Sequence, residues 1–234
     1  MNLIKHYSFD LWLTLIKSNP LFKKERAQYF YEKFNWSSFS LEAVEAIFRQ
    51  VDVMCNLINE KTGKNIDADE MYLMVISMMN PGSFDWESIA IDELYREMEA
   101  LVFKHLPQLF CEDTPKVLDH LKSKGYSLNI LSNTGFIKGI TLREVLKKLQ
   151  VDTYFDFQLY SDETGYSKPN HAFFELMFKN ASAIYPQKGL HMREIMHIGD
   201  NPRADIQGAG LFGIKSMLIN SNQLSITQLM QLCP

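Results

Sequence analysis

Carboxylates, a hydroxyl and a lysine stand at the ends of apolar runs in four separate stretches of this chain. YSFDLWLTL sets Asp10 directly after an apolar segment, followed by Leu11 and Trp12. SLNILSNT ends in Ser132, Asn133 and Thr134, and the loop after FDFQLYS carries Lys168 and Pro169. EIMHIGDNPRAD ends in Asp200 and Asn201, with Asp205 a short step further on. In an open sheet of parallel strands, functional groups collect in loops beyond the carboxyl ends of the strands. If these loops meet, Asp10, Asp200 and Asp205 set three negative charges against the one positive charge of Lys168. Clustered carboxylates resist joint ionisation unless something offsets them. A divalent cation is the natural offset, and oxygen ligands suit magnesium.

The elements that must position these residues are legible as patterns. Residues 3–9, LIKHYSF, and the following LWLTLI read as an apolar strand ending in a loop. From Pro20 to Leu106 the periodicity is helical. One helix covers LFKKERAQYFYEKF, and a second starts after Ser40 and stops at Gly63. A third opens with Asp67 and Glu70 at capping-box spacing, and a fourth runs from after Asp85 to before Pro107. Beyond Pro107, helix and strand alternate. Thr114 and Pro115 form a cap and first-turn pair for a helix ending near Gly125. YSLNILSN is a strand, LREVLKKLQ a helix and FDFQLYS a strand. HAFFELMFKNASAIY is a helix capped by Asn170, EIMHIGD a strand, RADIQGAG a helix and IKSMLIN a strand. Such alternation predicts an α/β fold with a mostly parallel sheet covered on both faces. The helical stretch at 20–106 is then an insert, and strand one joins the sheet from across it.

The four segments resemble, in order, the motifs of the haloacid dehalogenase-like hydrolase superfamily. FDLWLTL resembles the first motif, ILSN the second, SDETGYSKP the third and IGDNPRAD the fourth. The resemblance covers essentially the whole chain. It implies a Rossmann-like core from residues 1–19 and 107–234, with residues 20–106 as an α-helical cap domain. It further implies Mg2+-dependent phosphatase chemistry on a small phosphorylated metabolite. Asp10 stands at the nucleophile position, Ser132 at the phosphate-binding hydroxyl and Lys168 at the motif-three cation, with Asn133 beside the substrate. Magnesium would be held by the side chains of Asp10 and Asp200 and the backbone carbonyl of Trp12. Asp205 is read as a further ligand, as a helix-facing cap or as a partner of the lysine.

One position departs from that pattern. Two residues after the nucleophile, the superfamily's phosphatases carry a second Asp as general acid and base; here the residue is Trp12. Indole offers only a donor N–H and no proton that titrates near neutral pH. Alternatives therefore stand beside the phosphatase. A 2-haloacid dehalogenase releases halide without protonating it, but Asp200 and Asp205 would repel the substrate carboxylate. A catalytically weak binding or regulatory protein could keep the fold and metal site.

The remaining features exclude more than they suggest. The 234 residues are 46% hydrophobic and 22% charged, with 24 Lys plus Arg against 28 Asp plus Glu. A net charge of −4 without a basic run gives no electrostatic reason to expect nucleic acid. Cys55, Cys111 and Cys233 are scattered, which argues against a disulfide framework or structural zinc. No apolar run reaches the roughly 18 residues of a membrane span. The expectation is a cytoplasmic enzyme with a small-molecule substrate; oligomeric state is not legible. GAGLFG (Gly208, Gly210, Gly213) matches the dinucleotide-binding pattern, but a helix precedes it and a strand follows, so it reads as a helix stop and turn. His6 and His197, inside apolar strands, read as satisfied core histidines. His171 reads as a first-turn residue and the Met-rich MYLMVISMM as core of the helical insert or substrate-facing lining rather than a cofactor site.

Overall fold

β1 (His6–Phe9) lies at the centre of the molecule, and all four of its residues are buried. In the computed structural model, which describes residues 4–82 and 85–232, it is followed by a two-residue strand β2 (Ile16–Lys17). Four helices come next: α1 (Pro20–Phe34), α2 (Leu41–Thr62), α3 (Ala68–Met79) and α4 (Ile91–Lys104). Strand β3 (Gln108–Leu109) then pairs antiparallel with β2, so a short ribbon closes the point where the helical segment leaves and re-enters. The rest alternates: α5 (Thr114–Ser123), β4 (Ser127–Ser132), α6 (Gly139–Lys148), β5 (Phe157–Tyr160), α7 (Ser161–Thr164), α8 (His171–Ala183), β6 (Ile195–Gly199), α9 (Gly208–Phe212), β7 (Lys215–Leu218) and α10 (Gln228–Leu232). Leu3, at the start of the predicted first strand, and Cys233 lie outside the described residues.

The main sheet has five strands in the order β5-β4-β1-β6-β7, with every pair parallel. This is the α/β architecture expected from the sequence. Strand order reverses at β1, which has β4 on one side and β6 on the other. Ligand sites form at such a switch point, outside the carboxyl ends of the strands. Register brings those ends to one edge of the sheet. Phe9 pairs with both Ile130 and Ile198, and the Asp10 N–H donates to the Ile198 carbonyl at 2.8 Å.

The two faces of the sheet are chemically different. On one, Tyr7 and Phe9 pack with Leu128 and Ile130 against Val117 and Leu121 of α5 and Val145 of α6. On the other, buried polar side chains satisfy one another. The His6 ring nitrogens contact Ser127 Oγ at 2.6 Å and Asn129 Oδ1 at 2.7 Å, and Ser8 Oγ lies 3.0 Å from His197 Nδ1. Nearby, Phe173, Phe174 and Met177 of α8 pack with Phe212 of α9. The helical segment has a core of its own. Phe30, Phe48, Val51, Tyr72, Val75 and Met98 meet there, joined by Phe136 from the loop before α6. Among the described residues, this segment adds no strand to the sheet, and no helix is long and apolar enough to cross a membrane.

Local expectations held where caps set the ends. Ser40 Oγ accepts from the Ala43 N–H, and Gly63 ends α2 in the left-handed region at φ 68°. Glu70 accepts from the Asp67 N–H at 2.9 Å, and Asn170 Oδ1 from the Ala172 N–H at 2.9 Å. GAGLFG is a helix end, stopped by Gly213 at φ 93° and followed by β7. Four details differ from the sequence reading. LWLTLI is a loop leading into β2. Trp86–Ser88 is a separate 3-10 turn, and α4 begins only at Ile91. Thr114 is the first residue of α5, and Asp113 takes the cap position before it. Pro202–Gln207 winds as a π-helix before α9, which swings Asp205 back towards the strand end.

His6 gives this core a measurable signature. Burial pushes its pKa from 6.5 down to about 4, against the opposing pull of the Asn129 hydrogen bond. Above pH 6.5 the ring is neutral in both folded and unfolded chains, so its packing is fully stabilising. As pH falls towards 4 the unfolded chain takes up a proton that the folded chain refuses, and stability declines, levelling off below. The loss should total about 3 kcal/mol. Urea titrations at several pH values should show His6→Gln losing less stability between pH 7 and pH 4 than the parent. Equal losses would assign the acid sensitivity elsewhere.

Candidate active site

Three loops at the strand ends put charged groups in contact. Asp10 follows β1, Asp200 follows β6, and Lys168 lies in the loop between α7 and α8. The Lys168 ammonium, 1% exposed, donates to Asp10 Oδ1 and to Asp205 Oδ1, each at 2.7 Å. Asp205 is saturated beyond this. Its Oδ1 also meets His197 Nε2 at 3.0 Å, and its Oδ2 accepts from the Asn201 N–H at 3.0 Å. A buried polar chain therefore runs from Ser8 through His197, Asp205 and Lys168 to Asp10.

Each end of this chain is fixed by local structure. Leu13 adopts a left-handed φ of 59°, and Asn220 Nδ2 holds the turn by donating to the carbonyls of Leu13 and Thr14 at 2.6 and 3.1 Å. That turn brings Thr14 back over Asp10. Its hydroxyl donates to Asp10 Oδ2 at 2.9 Å and lies 3.4 Å from Asp200 Oδ1. Asn133 grips the backbone of Lys168 from both sides: Oδ1 accepts its N–H at 2.7 Å, and Nδ2 donates to its carbonyl at 3.0 Å. Gly199 is required for space. A Cβ there would run into the carboxylate of Asp205.

Electrostatics follow from burial and from the excess of carboxylates. Burial, reinforced by Asp205 and Asp200, pushes Asp10 up to about 7 although Lys168 pulls the other way. Burial and the charge of Asp205 push Asp200 up to about 6. Burial also works against ionised Asp205, but Lys168 and His197 hold its pKa below the usual range. Lys168 is disfavoured by burial, yet the paired carboxylates raise its pKa above the ordinary value.

Oxygen atoms of Asp10, Asp200 and Asp205 lie within 4.8 Å of one another, a donor set that fits a hard divalent cation. Asp10 Oδ2 and the Asp200 carboxylate keep free lone pairs for one. The Asp205 oxygens are taken by three protein donors. Trp12 is half-buried beside them, with its indole packed against the sheet core.

Above this cluster is a cavity of about 760 Å³, large enough for a small organic ligand. Asp10, Trp12, Asn133, Lys168, Asp200 and Asp205 line its floor, and residues of α1 and α2 line the opposite wall. Ser132 is not among the lining residues; it is fully buried, and its hydroxyl donates to the Asn133 carbonyl at 3.1 Å. Glu60 of α2 accepts from Asn201 Nδ2 at 2.8 Å across the cavity edge. Tyr72 and Tyr95, from α3 and α4, hydrogen-bond to residues 136, 138 and 141.

All the carboxylates and the lysine singled out from sequence thus converge. Thr14, His197 and Glu60 were missed as site residues. A threonine in an apolar loop and a histidine in a strand carry no local signal, and Glu60 reaches Asn201 only through the tertiary fold.

The chain belongs to the haloacid dehalogenase-like hydrolase family, whose model matches residues 7–219. Glyceraldehyde 3-phosphate phosphatase of Methanothermobacter thermautotrophicus is 34% identical over 111 residues, 47% of this chain and 44% of that relative. The match therefore spans less than half the length of the curated relative. Among solved structures, the magnesium-bound HAD-hydrolase YfnB from Bacillus subtilis aligns over 94% of this chain and 90% of its own, with TM-score 0.69 and 18% identity. A 2-haloacid dehalogenase from Pseudomonas syringae pv. Tomato aligns over 98% of both chains, with TM-score 0.64 and 19% identity. At such identities the likeness is one of fold.

Two substitutions test the cluster as a structural unit. Lys168→Met leaves two buried carboxylates facing each other and should cost roughly 3–5 kcal/mol at pH 7. Gly199→Ala should cost roughly 1–3 kcal/mol by pushing Asp205 from its seat. Chemical denaturation of both variants checks this; parent-like midpoints would show that the cluster tolerates rearrangement.

Proposed function

We propose that this protein is a phosphatase for small phosphorylated molecules, working through an aspartyl-phosphate on Asp10. The observation that carries the reading is the contact of buried Lys168 with the carboxylate of Asp10 at the cavity floor. The ammonium favours the ionised, nucleophilic form of Asp10 and would face the phosphoryl oxygens beside it. An Asp10 oxygen attacks phosphorus, the bond to the leaving oxygen breaks, and water then cleaves the acyl phosphate to release inorganic phosphate and restore Asp10. Ser132 is assigned a phosphoryl hydrogen bond, which requires its hydroxyl to turn from the Asn133 carbonyl. Thr14 orients Asp10, and His197 with the Asn201 N–H holds Asp205 against the lysine. The side chains of Asp10 and Asp200 and the carbonyl of Trp12 would hold magnesium, with Asp205 kept for Lys168. Bound there, the ion supplies positive charge that offsets both the carboxylates and the phosphoryl group.

Residues 20–106 form, in this reading, a cap domain over a core made of 1–19 and 107–234. Closure excludes water and positions the substrate. The radius of gyration from small-angle scattering should fall when vanadate and magnesium are added; an unchanged value would count against closure.

A second reading is kept by Trp12, which stands where a phosphatase would carry its acid. Dehalogenation needs no such acid, and a 2-haloacid dehalogenase shares the fold. The unpaired negative charge of Asp200 opposes it. Chloride release from a 2-chloroacid without added metal, and no phosphate release with it, would favour that reading.

The direct test is a phosphatase screen with and without magnesium. Asp10→Asn should abolish turnover, and Asp200→Asn should weaken metal binding and remove activity. Full activity of the Asp200 variant in excess chelator would take the metal out of the mechanism. Trp12 sharpens the expectation. Without general acid catalysis, worth roughly 10²–10⁴-fold, rate should depend steeply on the leaving group. Aryl phosphates should turn over and simple alkyl phosphates should not, with an initial burst of product as the aspartyl-phosphate accumulates. Trp12→Asp should help alkyl substrates more than aryl ones. Equal, rapid turnover of both types by the parent would mean that another group supplies the proton.

A further inference from the structure

Arg26 is a buried cation for which the phosphatase reading has no use. It lies on α1, is 8% exposed, and lines the same cavity as Asp10. Its guanidinium sits over three aromatic rings, 4.1 Å from the centroid of Phe48, 4.5 Å from Phe136 and 5.2 Å from Phe22. Among the described residues it forms no ion pair, and its Nε has no hydrogen-bond partner. The Tyr72 hydroxyl lies beside it, with its own proton donated to the Phe136 carbonyl at 3.0 Å. Asp52 lines the same cavity and acts on Arg26 through space, but it is exposed and forms no ion pair with it among the described residues. Lys23, Lys24 and Arg49 also face the cavity, but all three are exposed and can be solvated without a ligand.

A buried charge without a counter-charge is costly, and aromatic faces offset only part of that cost. The arrangement is best explained by a ligand that brings the missing anion. A planar guanidinium fits the oxygens of carboxylate and of phosphate alike, often two at a time. The rings fix the plane of the fork and keep water from competing. Resting on the phosphatase reading for the other end of the ligand, we propose that Arg26 is a specificity-determining residue that docks a second anionic group of the substrate. The substrate class is then a phosphorylated molecule carrying a carboxylate or a second phosphate remote from the bond that breaks.

Phosphonates lack the scissile ester, so they test binding apart from turnover. Calorimetry on the full chain with magnesium would compare ethylphosphonate, 2-carboxyethylphosphonate and a propane-1,3-bisphosphonate. At least one of the two-anion ligands should bind tenfold or more tighter than ethylphosphonate; which one does so distinguishes carboxylate from phosphate. Arg26→Met should bring that ratio close to one, and Arg26→Lys should restore it only in part. Equal affinities in the parent protein, no binding of any phosphonate, or a ratio unchanged in Arg26→Met would overturn the assignment. The parent comparison stands even if the methionine variant does not fold. An aryl phosphate assay run in parallel separates the two readings. Turnover without preference for the second anion removes Arg26 alone, and an Arg26-dependent preference without turnover removes the phosphatase.

Discussion

An ammonium buried between two carboxylates is stable only as a complete set. Lys168 has almost no contact with water, so the free energy of its charge rests on Asp10 and Asp205, each 2.7 Å away. Removing one partner of such a buried set leaves an uncompensated charge, which is far worse than never having buried it. The fold must therefore deliver three separate chain segments to one point with little tolerance. Parallel pairing does this. β1 is the strand that neighbours both β4 and β6, and the shared register at Phe9 brings their carboxyl ends to the same edge of the sheet. The π-wound turn after β6 then returns Asp205 into contact with the lysine, and Gly199 leaves room for it.

The polar face of the sheet is part of the same constraint. His197 uses both ring nitrogens, one on Ser8 and one on Asp205, so the carboxylate is anchored to the middle of the sheet rather than to a loop alone. Apolar residues at Ser8 and His197 would pack well against α8. They would also free Asp205 to rotate, and Lys168 would lose its second partner. Burial disfavours protonated His197, which leaves Lys168 as the positive charge nearest the two aspartates.

Asp10 and Asp200 each close an apolar run, which alone is as common in a turn or cap; the site was legible because four such segments, with Lys168 and Asp205 in the polar stretches that follow theirs, occur together in one order. The sheet was legible from the alternation of strand and helix beyond Pro107, although its strands carry buried polar residues such as His6, Ser8, Asn129 and His197. Short elements were not. β2 and β3 have two residues each and exist only as partners of one another, and the five residues of α10 are too few to show a period. Thr14 reaches Asp10 through a left-handed leucine, which no sequence pattern marks. Arg26 carries no local signal in LFKKERAQ; its burial depends on Phe48 and Phe136, remote in sequence and brought together by packing.

The two walls of the cavity carry different electrostatic tasks. On the floor, Asp10, Asp200 and Asp205 face Lys168, three acids to one base, and burial, reinforced by mutual repulsion, raises Asp10 and Asp200 towards neutrality. A phosphorylated ligand approaching this floor alone would be repelled as soon as those acids ionise. The helical wall works in the opposite sense at Arg26, a buried cation with no ion pair among the described residues. An anion bound there would gain most when the cavity is closed and water is excluded, because the local dielectric is then low. The same closure strengthens the repulsion at the floor unless a cation is present. Affinity for the remote end of a ligand and the need for positive charge at the reacting end therefore rise together, which couples recognition by the helices to the state of the carboxylate cluster.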